Sequence, residues 1–200
     1  MMDAREPFEN VVVALVSHAH LDHFQKDTAI EFLQKNPECA LIASEEVAVA
    51  IRDSASKPSV AHQAVVVWPE PGKIKNVEQS GIRIEAFRLQ HAGTRNYEVQ
   101  NLGLLMHLGD QTVLHVGDAD ASAANFEPFD LAEKNIDVAI LPTWLLEDRK
   151  LVDAQIGAKI YIAAHIPTKD LARVKREFAR SQPDVIVLEK QMEQWTDTTK

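Results

Sequence analysis

The stretch VVVALVSHAHLDHFQ, residues 11–25, limits the fold more than any other part of the chain. An apolar run ends abruptly on three histidines and an aspartate packed between His18 and His23. Residues 11–17 read as a fully buried strand. Alternate side chains of an extended segment share a face, so His18 and His20 can hold one ion together. A turn then returns Asp22 and His23 toward a neighbouring position, which makes two adjacent half-sites. Imidazole nitrogen and carboxylate oxygen suit zinc, manganese or iron.

The remaining ligands have to come from elsewhere, and the pattern supplies them at strand ends. Helices are expected over 26–36, where Pro37 stops the pattern, and over 45–53, with Ser44 as N-cap. Strands are expected at 39–44 and 64–68, with loop over 54–64. Residues 81–89 alternate as a half-buried strand, with Ile82, Ile84 and Ala86 inward and Arg83, Glu85 and Arg88 nearer the other side. Residues 102–120 form two apolar runs turning at Gly109-Asp110, a hairpin signal. Strands at 136–142, 159–167 and 184–190 then alternate with helix over most of 144–157. A further helix is capped by Thr168 and carries Leu171, Val174 and Phe178 on one face. The class is α/β with mixed sheet directions, one domain over residues 1–200.

In this frame His91, Asp118 and His165 each stand where a core strand gives way to loop, the usual place for a site in such architectures. His91 completes the first half-site, His165 the second, and Asp118 can bridge both. Asp120 is the competing aspartate. His62, His107 and His115 are expected outside the ligand set. Trp68, Trp144 and Trp195 read as packing, although Trp144 follows a strand end on the site side. Asn96, Tyr97 and Asn101 either line the pocket or reflect an ordinary polar loop. Two ions held this way would activate a water and clamp the attacking and leaving oxygens, with Asp22 orienting the nucleophile. The chain has no GxSxG, no Gly-rich phosphate loop and no CxxC to support a competing chemistry.

Composition narrows the partners. The balance of 21 basic against 30 acidic residues gives a net charge of −9, which argues against nucleic acid or an anionic membrane and for a small-molecule substrate. Cys39 is the only cysteine, so no intramolecular disulfide can form. The polar start MMDAREPFEN lacks the pattern of a signal peptide, and no apolar run approaches the roughly 20 residues of a membrane span. Cytoplasm is the expected location.

The motif HAHLDH, followed in order by His91, Asp118 and His165, resembles the metallo-β-lactamase superfamily of αββα metallohydrolases. Within it, residues 90–120 are similar to the ascorbate-phosphate lactonase-like group: a loop after the third histidine, an NLG hairpin, then GD. The resemblance spans about residues 10 to 190. It implies His18, His20 and His91 on one metal, Asp22, His23 and His165 on the other, and Asp118 shared. It also implies two divalent ions, zinc first and manganese or iron next. The implied activity is hydrolysis of an ester, lactone, amide or phosphoester by metal-bound hydroxide. Relatives with one iron that oxidise sulfur compounds, and inactive metal-binding members, are the alternatives. A di-iron branch carries Glu where His20 stands. Family members place several strands ahead of the motif, and only about ten residues precede the first strand here. The first sheet is therefore expected to be incomplete on that side, with either self-association through it or markedly lower stability.

Overall fold

The computed structural model describes residues 10–190 and 193–196. The polar start weighed above lies, up to residue 9, outside the described residues. The first third of the chain winds as β1 (Val13–Val16), α1 (Lys26–Lys35), β2 (Ala40–Ala43), α2 (Glu45–Ser54), α3 (Pro58–Gln63) and β3 (Ala64–Val66). The three strands form a parallel sheet in the order β1-β2-β3. β2 is central and all four of its residues are buried, as expected for a parallel strand covered on both faces. β1 is an edge of this sheet among the described residues, and its four residues are only half-buried. Full burial was expected for it, but an edge strand has a partner on one side only.

The second sheet is a meander that becomes a set of crossovers. β4 (Lys75–Gln79), β5 (Ile82–Arg88), β6 (Leu102–Leu108) and β7 (Gln111–His115) run antiparallel. β8 (Val138–Pro142), β9 (Ile160–Ala164) and β10 (Val185–Ile186) continue parallel to β7. The spatial order is β10-β9-β8-β7-β6-β5-β4. Gly109 takes φ 64 at the β6–β7 turn, a conformation glycine adopts without steric cost. α4 (Ala123–Phe126), α5 (Thr143–Leu146), α6 (Arg149–Gln155) and α7 (Leu171–Ser181) follow β7 in the intervals between and after its neighbours.

Three apolar clusters define the layers. Leu33, Val47, Ala48, Ile51 and Val60 join the first helices to the three-stranded sheet. Ile42, Val67, Ile84, Ala86, Leu102 and Leu104 fill the space between the sheets. Phe87, Leu105, Leu114, Phe126, Leu141, Leu145, Tyr161 and Phe178 join the large sheet to the later helices. The architecture is helix–sheet–sheet–helix. No helix among the described residues is long and apolar enough to cross a membrane.

Several expectations need correction. Residues 58–63 form α3 rather than loop. Pro58 sits at its first turn, where its missing N–H costs nothing, and the Gln63 amide donates to the carbonyls of Leu33, Asn36 and Cys39. β5 is buried on both faces, because Phe87 joins the outer cluster and Glu85 is buried beside it. Glu85 is paired with Lys134 Nζ at 2.7 Å and hydrogen-bonded to His107 Nε2 at 3.0 Å. The single helix expected over 144–157 is two, α5 and α6. Asp148 interrupts it and accepts the Leu151 N–H at 3.1 Å as the cap of the second. Thr168 opens a short 3-10 turn, and the regular helix begins at Leu171. Ser44 stands at the N-cap of α2, but its hydroxyl makes no capping bond. The strand at the C-terminal end shrinks to two residues.

Candidate metal centre

The site is built where strands of both sheets end on the same rim. β1 delivers Ser17 and His18, both buried. The next turn is tight: the carbonyl of His20 accepts the N–H groups of His23 at 2.9 Å and Phe24 at 2.7 Å. This reversal brings Asp22 and His23 back toward His18. His91 lies three residues beyond β5 and bridges Ala119. Asp118 lies three residues beyond β7, and His165 immediately follows β9. His165 has φ 56, a left-handed conformation rare for a non-glycine residue and frequent where a functional site constrains the backbone.

Asp118 is the centre of the arrangement. Its Oδ2 is 3.2 Å from His165 Nε2, 3.6 Å from His91 Nε2 and 3.8 Å from His18 Nε2. Its Oδ1 is 3.2 Å from His23 Nε2. Asp22 Oδ2 is 3.2 Å from His165 Nε2 and 3.8 Å from His23 Nε2. The side chains fall into two donor sets, each with its ligand atoms within 4.8 Å of one another. One comprises His18, His20, His91 and Asp118 and is mostly buried; the other comprises Asp22, His23 and His165 and is more open. The structure thus brings together all seven residues singled out by sequence. Asp120, the competing aspartate, is in neither set. Nor are His62, His107 or His115.

Orphaned atoms test whether a cation fits. His18 Nε2 and His91 Nε2 are buried without a hydrogen-bond partner, an uncommon and costly state for a polar atom. His91 Nδ1 donates to the Ala92 carbonyl at 2.7 Å, which leaves the lone pair on Nε2 pointing into the cluster. Ser17 Oγ lies 3.1 Å from His18 Nδ1 and 3.5 Å from His23 Nδ1, so one hydroxyl steadies a histidine of each set. Burial, helped by neighbouring His23, pushes the His18 pKa down to about 3, so His18 stays a neutral donor. Burial alone would raise the Asp118 carboxyl, but His23, His165 and His18 outweigh it and hold it below the usual range. Burial likewise opposes the His23 cation, yet Asp118 and Asp22 raise its pKa overall. A neutral imidazole and an ionised carboxylate are the forms that ligate a cation, and the chemistry of the set fits divalent metal binding.

Residues of both sets face a cavity of about 370 Å³ lined by His20, Asp22, Ala92, Gly93, Asn96, Trp144 and His165, with the buried His91 and Asp118 also on its wall. Trp144 was expected to be packing. It packs edge-on to His165 at 4.9 Å and donates its indole N–H to the Ala119 carbonyl at 2.9 Å, so it is a fixed wall of this cavity. Asn96 lines the cavity, whereas Tyr97 is exposed outside it and Asn101 is fully buried beneath it. Trp68 instead stacks under Arg88, 4.2 Å from the ring centroid. Ser17 was missed by sequence reasoning; its place directly before His18, at the end of an apolar strand, was the available signal.

A family described as "Beta-lactamase superfamily domain" matches residues 2–186. No curated protein sequence matches the chain. Among solved structures, the chain is similar to a candidate metal-dependent hydrolase from Parabacteroides distasonis, with 17% identity, a TM-score of 0.64, and 92% of this chain and 79% of that one covered. It is similar to Igni18, a metallo hydrolase from the archaeon Ignicoccus hospitalis, with 15% identity, a TM-score of 0.62, and 90% and 77% covered. It is also similar to zinc-bound PqqB from Methylobacterium extorquens, with 12% identity, a TM-score of 0.59, and 90% and 71% covered. At such identities the likeness carries the fold.

Proposed function

The chain belongs to the beta-lactamase superfamily, and from that premise we propose that it is a metal-dependent hydrolase with a binuclear centre acting on a small molecule. The bond cleaved is an ester, lactone, amide or phosphoester. One observation carries the reading: a single carboxylate, Asp118, stands between two donor sets, within 3.8 Å of four histidine nitrogens. Seven ligand groups exceed what one tetrahedral ion uses.

Divalent ions bound there, zinc being the first candidate, would supply Lewis acidity that lowers the pKa of a water and draws charge from the electrophile. The chain's own residues do the rest. His18, His20 and His91 form the buried donor set with Asp118; Asp22, His23 and His165 form the open one. Asp22 is the most exposed of the seven, its side chain 61% accessible, and it faces the cavity. One of its oxygens lies toward His165, which leaves the other to accept the proton of an attacking water and aim it. Trp144 closes one wall and limits water at the reacting bond. The net charge of −9 favours a small substrate over nucleic acid, and a cytoplasmic setting is part of the proposal.

The test is metal analysis of the natively purified protein, with turnover of a panel of esters, lactones and phosphodiesters before and after chelation. Hydrolysis of at least one class that chelation abolishes and metal restores is the expected result. One iron per chain, with oxygen uptake on persulfides and no hydrolysis, would overturn it.

A further inference from the structure

We propose that Asn101 is a positioning residue of the buried donor set, its side chain tying together the two backbone segments that present His91 and Asp118. The inference rests on the metal-centre reading above. It starts from a gap in the sheet. The β5–β6 ladder ends at Arg88 paired with Leu102, and the β6–β7 ladder ends at Leu104 paired with His115. His91 and Asp118 each lie three residues past those last pairs, where the ladders have ended and an isolated bridge joins the two segments, Ala92 N–H donating to the Asp118 carbonyl at 2.7 Å and Asp120 N–H to the Gln90 carbonyl at 2.8 Å.

Asn101 fills the gap. It is fully buried. Its amide donates to the Val116 carbonyl at 3.1 Å and to the Leu89 carbonyl at 3.5 Å. Its Oδ1 accepts the N–H of Asp118 itself at 3.2 Å. Its backbone carbonyl accepts the Leu89 N–H at 3.1 Å, and the next residue, Leu102, donates to the carbonyl of Ser17 at 2.9 Å. The segments leading to His91 and Asp118 therefore meet at Asn101, and the one leading to His18 joins them through the next residue. Gly117 shows how closely they meet: a Cβ there would stand 2.1 Å from Asn101 Oδ1. None of the hydrogen bonds of the Asn101 side chain reaches the segment bearing His165 or the turn bearing Asp22 and His23. Asn101 touches no ligand atom, so it acts through the backbone that carries the ligands.

A merely structural asparagine would satisfy buried carbonyls, and its loss would weaken both metal sites alike or neither. A positioning asparagine predicts asymmetry. The experiment is cobalt(II) titration of the full chain, followed by visible absorption and equilibrium dialysis. It compares the unmodified protein with Asn101→Ala and Asn101→Ser, and uses His91→Ala to identify the buried site. Asn101→Ala is expected to weaken the site that His91→Ala abolishes by about 10- to 100-fold and to shift its absorption bands. The other site should change less, because Asp118 is the one ligand it shares with the buried set, and Asn101→Ser should fall between. Equal weakening of both sites, or unchanged affinity at the buried one, would overturn the inference and leave the hydrolase reading standing. An unmodified chain that binds no cobalt would sink both. If neither variant folds, hydrogen exchange on the unmodified metal-free protein decides. The Asp118 amide should exchange only with global unfolding; exchange at the rate of an open loop would refute the clamp.

Discussion

Gly117→Ala is the sharpest test of how tightly the rim is built. Gly117 sits at φ +58, and a Cβ would come 2.1 Å from Asn101 Oδ1 and 2.8 Å from Ser17 Cβ. Two costs follow. Holding an L-residue in the left-handed region costs roughly 1–2 kcal/mol. Displacing the Asn101 side chain disrupts its bonds to Asp118, Val116 and Leu89, at roughly 0.5–1.5 kcal/mol each. Together the loss is about 3–6 kcal/mol, a large part of the roughly 5–15 kcal/mol that holds a domain folded. Gly109→Ala is the internal control. Gly109 has a similar φ of +64, but nothing lies within 4 Å of a Cβ there, so only the backbone cost applies. The assay is urea denaturation of the metal-free protein at neutral pH, with the slope checked for constancy. Equal destabilisation by the two substitutions would refute the close approach at Gly117.

His91→Ala should weaken one of two bound metal ions more than the other, and His165→Ala should do the reverse, as read by equilibrium dialysis; a saturated stoichiometry of one with His165 dispensable would sink the binuclear reading. Asp22→Ala should reduce turnover by several orders of magnitude with little change in melting temperature, and Asp120→Ala should be mild, because Asp120 lies outside both donor sets. The reverse order of effects would reassign the acid roles. Burial, with a smaller push from His23, lowers the His115 pKa to about 4 from its ordinary value of about 6.5. Below pH 6.5 the unfolded chain takes up a proton that the folded one refuses, so stability falls as pH drops from about 6.5 to 4 and levels beneath. In metal-free protein His115→Gln should flatten that part of the acid limb in pH-dependent denaturation; an unchanged slope would show that His115 is not held neutral.

The donor residues were legible because their chemistry is local. Alternation along an extended segment puts His18 and His20 on one face, and each remaining donor follows an apolar run long enough to read as a strand. Asp118 was favoured over Asp120 on position alone, and the two donor sets include only the former. Other features depend on tertiary contacts. The polar sequence of β4 carries no strand signal, and it forms because β5 offers an edge to pair with. Glu85 looks like a surface residue until Lys134, 49 residues away in sequence, arrives beside it. Asn101 sits in a polar loop by composition, and its role exists only where three chain segments converge. The left-handed backbone of His165 likewise leaves no mark in the residue types around it.

The unequal widths of the two sheets restrict how the molecule can be extended. The inter-sheet cluster places the three-stranded sheet over β4, β5 and β6, while a groove beside β1 is floored by His115 and Ile140 of β7 and β8. β8, β9 and β10 therefore form a shelf beyond β1, an edge among the described residues, with Ile140, Ile162 and Ile186 half-buried on it. Suppose two copies joined edge to edge through β1 about a dyad normal to the sheet. Each would bring its own large sheet in beneath its small one, into the space the other's shelf already fills. Self-association through that edge would therefore set the two large sheets against each other in this form. A single strand added at β1 would instead lie on the shelf, over Ile140, Ile162 and Ile186.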